Sequence, residues 1–138
     1  MEKNNTHLSG EYFVAAELYR RGFSVGMTIG NAKAIDLFAN KESRTISVQV
    51  KAIRNKKSVG WPIVKDKILN DVVYIFVNLN DQQSPDYYVA TGREARSKVK
   101  QYATRGIIDI STLKNEGFHN RWDKVVDPVP ISIKKSGR

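Results

Sequence analysis

The sequence contains no cysteine. That excludes disulfides, thiolate metal centres and cysteine nucleophiles, and it fits an intracellular protein. Histidine is scarce, and neither His7 nor His119 reads as having a partner at ligand spacing. No run approaches the ~18 apolar residues of a membrane span. The polar start MEKNNTHLSG does not read as a signal peptide. A glycine-rich phosphate loop is missing, which argues against nucleotide hydrolysis, and no Ser/His/Asp motif is recognisable. Acid is also in short supply. Fourteen Asp and Glu face 23 Lys and Arg, for a net charge of +9 and a pI near 9.8. Such an excess favours a polyanionic partner, most often nucleic acid. A basic surface kept for solubility is the plainer alternative.

What is present organises into a chain of 138 residues expected to fold as one domain, residues 1–138, with 128–138 a flexible basic tail. Residues 8–21 read as a helix, with Ser9 as N-cap and Gly22 at the C-cap. Strands are expected over 23–29, 34–39, 45–53, 71–80 and 86–91, the fourth apolar on both faces. Trp61-Pro62 starts or edges another strand, and 93–105 reads as a second, very basic helix. The tail carries short strand-like pieces, IIDIS and KVVDPVPISI. The order α-β-β-β-β-β-α defines an α/β (α+β) fold with a mixed central sheet flanked by helices.

The informative stretch is AIDLFANKESRTISVQVKAIR, residues 34–54. A turn at 41–44 sets a register pairing Asn40 with Thr45 and Ala39 with Ile46, and brings Asp36 opposite Gln49. Strand alternation then places Asp36, Gln49 and Lys51 on one face and Ile46, Val48 and Val50 on the other. Cross-strand neighbours lie ~4.5–8 Å apart, close enough to hold one small ion or phosphate. Glu11 shares a helical stripe with Val14, Ala15 and Leu18, so its carboxylate points at the sheet as well. Glu17, by contrast, is placed to pair with Arg21 on the surface. Spacing alone fits an internal Asp36–Lys51 ion pair with no further role.

Gly10-Glu11, Ile35-Asp36-Leu37 and Gln49-Val50-Lys51 together resemble the PD-(D/E)XK, or restriction-endonuclease-like, nuclease superfamily. GEYFVAAELYRRGF is similar to the helix that precedes the catalytic strands in many members, and the α-β-β-β order resembles the family core. Gln49 departs from the pattern by standing where an acid is usual, which removes one negative charge. The resemblance implies catalytic residues Glu11, Asp36, Gln49 and Lys51 around Mg²⁺ or Mn²⁺. Asp36 would be the principal metal ligand, Gln49 and the Val50 carbonyl would add oxygens, and Glu11 would complete the site. Lys51 would orient or help deprotonate the attacking water.

The expected DNA contacts are Lys33, Arg54, Lys56, Lys57, Lys65, Lys67, Arg93 and Arg96, with Lys98, Lys100 and Arg105 adding to the second cluster. Asn78, Asn80, Gln82 and Gln83 are candidates for reading bases, whereas Trp61 and Tyr74 fit core or edge packing better. The leading reading is a metal-dependent DNA endonuclease of homing or restriction type. A structure-specific nuclease such as a Holliday junction resolvase is a second. A nucleic-acid-binding module that lost metal binding through Gln49 is a third, and a structural subunit of a larger complex a fourth. A homodimer or homotetramer is expected, because one site per chain must cut two strands. The expected location is the cytoplasm, in association with the nucleoid.

Overall fold

The computed structural model describes residues 3–29 and 34–126. The expected turn at 30–33, with Lys33, and the expected flexible tail, 128–138, lie outside the described residues. The chain opens with α1 (Lys3–Arg20), which starts five residues earlier than the sequence reading, so Ser9 lies inside the helix and caps nothing. Gly22 ends it, at a φ of 93°. Phe23 N–H donates to Leu18 O and Gly22 N–H to Tyr19 O, the paired bonds of a Schellman cap.

Three antiparallel strands follow: β1 (Ser24–Met27), β2 (Leu37–Lys41) and β3 (Arg44–Ile53). The β2–β3 turn is two residues, Glu42 and Ser43, both at positive φ, as the twist of a tight hairpin demands. Ala39 pairs with Ile46 and Asn40 with Thr45, in the expected register. A short β4 (Gly60–Pro62) and a 3₁₀ turn over Lys65–Lys67 lead to β5 (Val72–Asn78). Next come β6 (Asp86–Thr91) and α2 (Gly92–Lys98). The chain continues through β7 (Lys100–Gln101), β8 (Gly106–Asp109) and α3 (Ile110–Asn115).

The main sheet runs β1-β2-β3-β5-β6 and is mixed, because β3 and β5 are parallel while the other neighbours are antiparallel. Every residue of β5 is buried, since both faces of the sheet are covered. On one face α1 seals Val48, Val50 and Ile75 with Val14 and Leu18. On the other, a second sheet of order β4-β8-β7 packs Trp61 and Ile108 against Tyr74 and Phe76, joined by Leu113 of α3. Trp61 donates its indole N–H to Val77 O at 3.0 Å, so this fully buried ring is satisfied and serves packing, as expected.

The second helix is shorter than expected. It begins with a capping box, Thr91 and Glu94 bonding each other's backbone N–H, and stops at Lys98. Residues 99–105, read from sequence as helix, instead enter the β7–β8 hairpin. Gln101 holds that hairpin in place: its amide oxygen accepts from Lys65 N–H at 2.9 Å, and its NH₂ donates to Tyr102 O and Arg105 O.

Candidate functional site

The site is built where β2 leaves β3. Leu37 is the ladder partner of Val48, yet the Asp36 N–H also donates to Val48 O, at 2.9 Å. Two residues of one strand therefore face one of the other, the arrangement of a β-bulge, which re-aims a side chain. This is why Asp36 departs from the strict alternation that assigned it to the face of Gln49 and Lys51. Its carboxylate accepts the Val50 N–H at 2.8 Å and turns toward α1.

From α1, Glu11 points down onto the sheet, and both carboxylates are almost completely buried, each 1% exposed. His7, one helical turn before Glu11, brings its Nε2 to 2.6 Å from Glu11 Oε2 and 3.8 Å from Asp36 Oδ1. The three side chains offer donor atoms that all lie within 4.8 Å of one another. The reading of His7 as partnerless is thus corrected. Helix geometry supplies the reason: residues four apart stack on one face. His119 also has a partner, Asp86, at 3.5 Å, on an exposed surface.

Gln49 and Lys51 point the other way, into a cleft of about 850 Å³ between the two sheets, whose walls also carry Tyr74, Lys67 and Arg105. Lys51 nevertheless feels Asp36 through the strand. Burial pushes its ammonium below the ordinary lysine range, the Asp36 charge pulls it back up, and Lys67 adds to the lowering. Asp36 is therefore the centre of the arrangement, with Glu11 and His7 on one side and Lys51 on the other. Val50 meets Asp36 through its N–H, whereas the sequence reading gave its carbonyl a part.

The depressed Lys51 pKa has a consequence for stability. An unfolded chain binds more protons than the folded one between the folded and unfolded lysine values, so stability rises with pH across that alkaline window. At neutral pH the charged, partly buried ammonium is a net cost. Lys51→Met keeps the stem and removes the charge. It is expected to raise the melting temperature at neutral pH and to flatten the alkaline rise, both readable from thermal melts across pH.

The basic residues divide into two groups. Arg96 donates to Ile68 O and Asn70 Oδ1, tying α2 to the turn before β5, so its guanidinium is part of the scaffold and not an open DNA contact. Arg54 pairs with Asp81 at 3.2 Å, Lys98 with Glu116 and Lys100 with Asp109. Lys56, Lys57, Lys65, Lys67 and Arg93 are exposed. Lys33 lies outside the described residues. Asn78 is 1% exposed and accepts the Asn80 N–H, which removes it from the base-reading candidates. Glu17 pairs with Arg21 at 3.2 Å, as expected, and with Arg20.

The mixed α+β fold with its five-stranded central sheet has counterparts among solved structures. Solved structures bear out the fold. The bacterial homing endonuclease I-Ssp6803I superposes with a TM-score of 0.59 at 12% identity, over 99% of this chain and 97% of that one. Hjc of Archaeoglobus fulgidus, a Holliday junction resolvase from an archaeal hyperthermophile, superposes with a TM-score of 0.55 at 11% identity, over 79% and 88% of the two chains. No family model matches the sequence, and no curated protein matches it. Among the described residues, no helix is long and apolar enough to cross a membrane.

Proposed function

We propose that this protein is a metal-dependent DNA endonuclease of the PD-(D/E)XK type, in its Q-x-K form, acting on specific duplex sequences. The observation that carries the proposal is the buried Glu11–Asp36 pair, set directly behind a cleft that presents Lys51. Two carboxylates buried together share a proton or are offset by positive charge, and a bound cation supplies that charge. The donors present, two carboxylates with an imidazole beside them, fit a divalent ion such as Mg²⁺ or Mn²⁺. Asp36 and Glu11 would hold it; Gln49 faces the cleft instead, and Val50 meets Asp36 through its N–H. Bound there, the cation would supply Lewis-acid stabilisation of the phosphate and lower the pKa of water.

The chain's own residues do the rest. Lys51 directs a hydrogen bond from its ammonium at the attacking water or the phosphate oxygens and offsets the charge that develops there. Lys67 and Arg105, on the walls of the cleft, attract and orient the phosphate backbone. The expected contacts that remain open, Lys56, Lys57, Lys65 and Arg93, extend the basic surface beyond it. Binding is therefore expected to weaken steeply with salt, because each neutralised phosphate releases counterions. Two chains acting together, as a homodimer or homotetramer, would cut both strands of a duplex.

Supercoiled plasmid and a synthetic four-way junction, each with Mg²⁺ or Mn²⁺, test the reading. Nicking or linearisation of duplex is the expected outcome. Cleavage confined to the junction would favour the second reading, a resolvase, which the likeness to the archaeal Hjc fold supports. Salt-sensitive binding to both substrates without cleavage of either would leave a binding module.

A further inference from the structure

We infer that His7 is a nitrogen ligand of the cation site and turns its preference from Mg²⁺ toward Mn²⁺ and other first-row transition ions. The inference rests on the nuclease reading in one respect, that Glu11 and Asp36 are the oxygen ligands of that cation.

Three observations place His7 there. It stands one turn before Glu11 on α1, so helix geometry stacks the two side chains over the same spot on the sheet. The nitrogen turned inward is Nε2, which lies 2.6 Å from Glu11 Oε2 and 3.8 Å from Asp36 Oδ1. Metal–ligand bonds of about 2.1 Å separate neighbouring donors by about 3 Å and opposite donors by about 4.2 Å. The separations here approach that pattern, and a side chain 42% exposed can rotate by the small amount that remains.

Chemistry then sets the direction of the preference. Mg²⁺ takes oxygen ligands and keeps its waters, whereas imidazole nitrogen suits the transition ions. Glu11 and Asp36 are the two carboxylates of this cluster, since Gln49 is neutral and faces the cleft. A neutral imidazole adds affinity through a stronger bond to a softer ion and does nothing comparable for Mg²⁺. The helix that carries a conventional oxygen ligand thereby acquires a selectivity element one turn upstream.

Calorimetric titration of Mn²⁺ and of Mg²⁺ into wild type, His7→Ala and Asp36→Asn reads this directly, without DNA or turnover. The expected result is a loss of Mn²⁺ affinity of about 10- to 100-fold in His7→Ala, with Mg²⁺ affinity changed by no more than about twofold. Pulsed electron paramagnetic resonance of the Mn²⁺ complex should show coupling to an imidazole nitrogen in wild type and lose it in His7→Ala. Because the His7 ring is half exposed, the variant should melt near the wild-type temperature. An unchanged Mn²⁺-to-Mg²⁺ affinity ratio and no nitrogen coupling in wild type would overturn the inference. If Asp36→Asn still lost binding in that case, the nuclease site would stand without His7. Wild type binding neither cation would overturn the site and the inference together.

Discussion

Asp36→Asn is expected to fold, to bind duplex DNA with the salt dependence of wild type, and to cut it about 10²- to 10³-fold more slowly or not at all. Asparagine keeps the shape of the side chain. Its amide oxygen can still accept the Val50 N–H, so the bulge that re-aims residue 36 survives. What is lost is the charge at the point where Glu11, His7 and Lys51 converge. Phosphodiester hydrolysis depends on charge neutralisation more than on covalent participation by the protein, so this removal strikes the step itself. A second measurement separates catalysis from folding. A ligand that binds only the native state stabilises it by about 2.7 kcal/mol at 100 times its dissociation constant. Wild type should therefore melt higher in excess Mn²⁺, and Asp36→Asn should not. A variant that cuts plasmid at the wild-type rate, or gains the same thermal shift, would remove Asp36 from the site. Lys51→Ala should share the cleavage defect but retain the shift, because its ammonium acts from the cleft side and holds no cation.

The parts of this arrangement that the sequence disclosed are those governed by local periodicity. The β2–β3 register follows from a two-residue turn, and the direction of Glu11 follows from helical phase; both hold in the structure. His7 was missed for a specific reason. A helix read as starting at residue 8 begins five residues too late and leaves His7 just outside it, and a residue outside the helix has no i,i+4 partner. Started at Lys3, the same helical phase puts His7 directly over Glu11. The orientation of Asp36 was illegible in principle, because alternation assumes one residue opposite one and a bulge breaks that count. Arg96 was misread from charge alone. It follows Ala95 and lies four residues after Gly92, both buried, so it sits at the margin of the face that α2 turns inward. Residues 99–105 have ordinary helix-forming composition. Their hairpin is imposed by tertiary contacts, the Lys65 N–H bond to Gln101 and the Ile63 N–H bond to Gly106 O among them, and these leave no local signal.

Gly10→Ala should destabilise the protein, the opposite of what the substitution does in most helix interiors. Mid-helix, glycine costs about 1 kcal/mol relative to alanine, so propensity alone predicts a gain. Packing reverses the sign. A Cβ on residue 10 would lie 2.6 Å from the Ala52 Cβ and 3.5 Å from Val50 Cγ1, and Ala52 has no rotamer through which to withdraw. The helix must lift off β3, and overpacking of this kind costs about 1–3 kcal/mol. The displacement also reaches the site, because the next residue is Glu11 and its distance from Asp36 is set by how closely α1 approaches β3. Gly10→Ala is therefore expected to lower the melting temperature and to weaken the Mn²⁺-induced stabilisation, and Gly10→Val to do both more strongly. Ala52→Gly removes the colliding methyl. The double variant Gly10→Ala/Ala52→Gly should recover the cation-induced shift even though Ala52→Gly weakens the strand by itself. Such recovery would show as a favourable coupling energy in a double-mutant cycle. If Gly10→Ala instead melts at or above wild type with its Mn²⁺ shift intact, the approach of α1 is not what fixes Glu11. If the single variant loses the shift and the double variant regains it, the glycine before the carboxylate is there to let the helix come close enough to build the site.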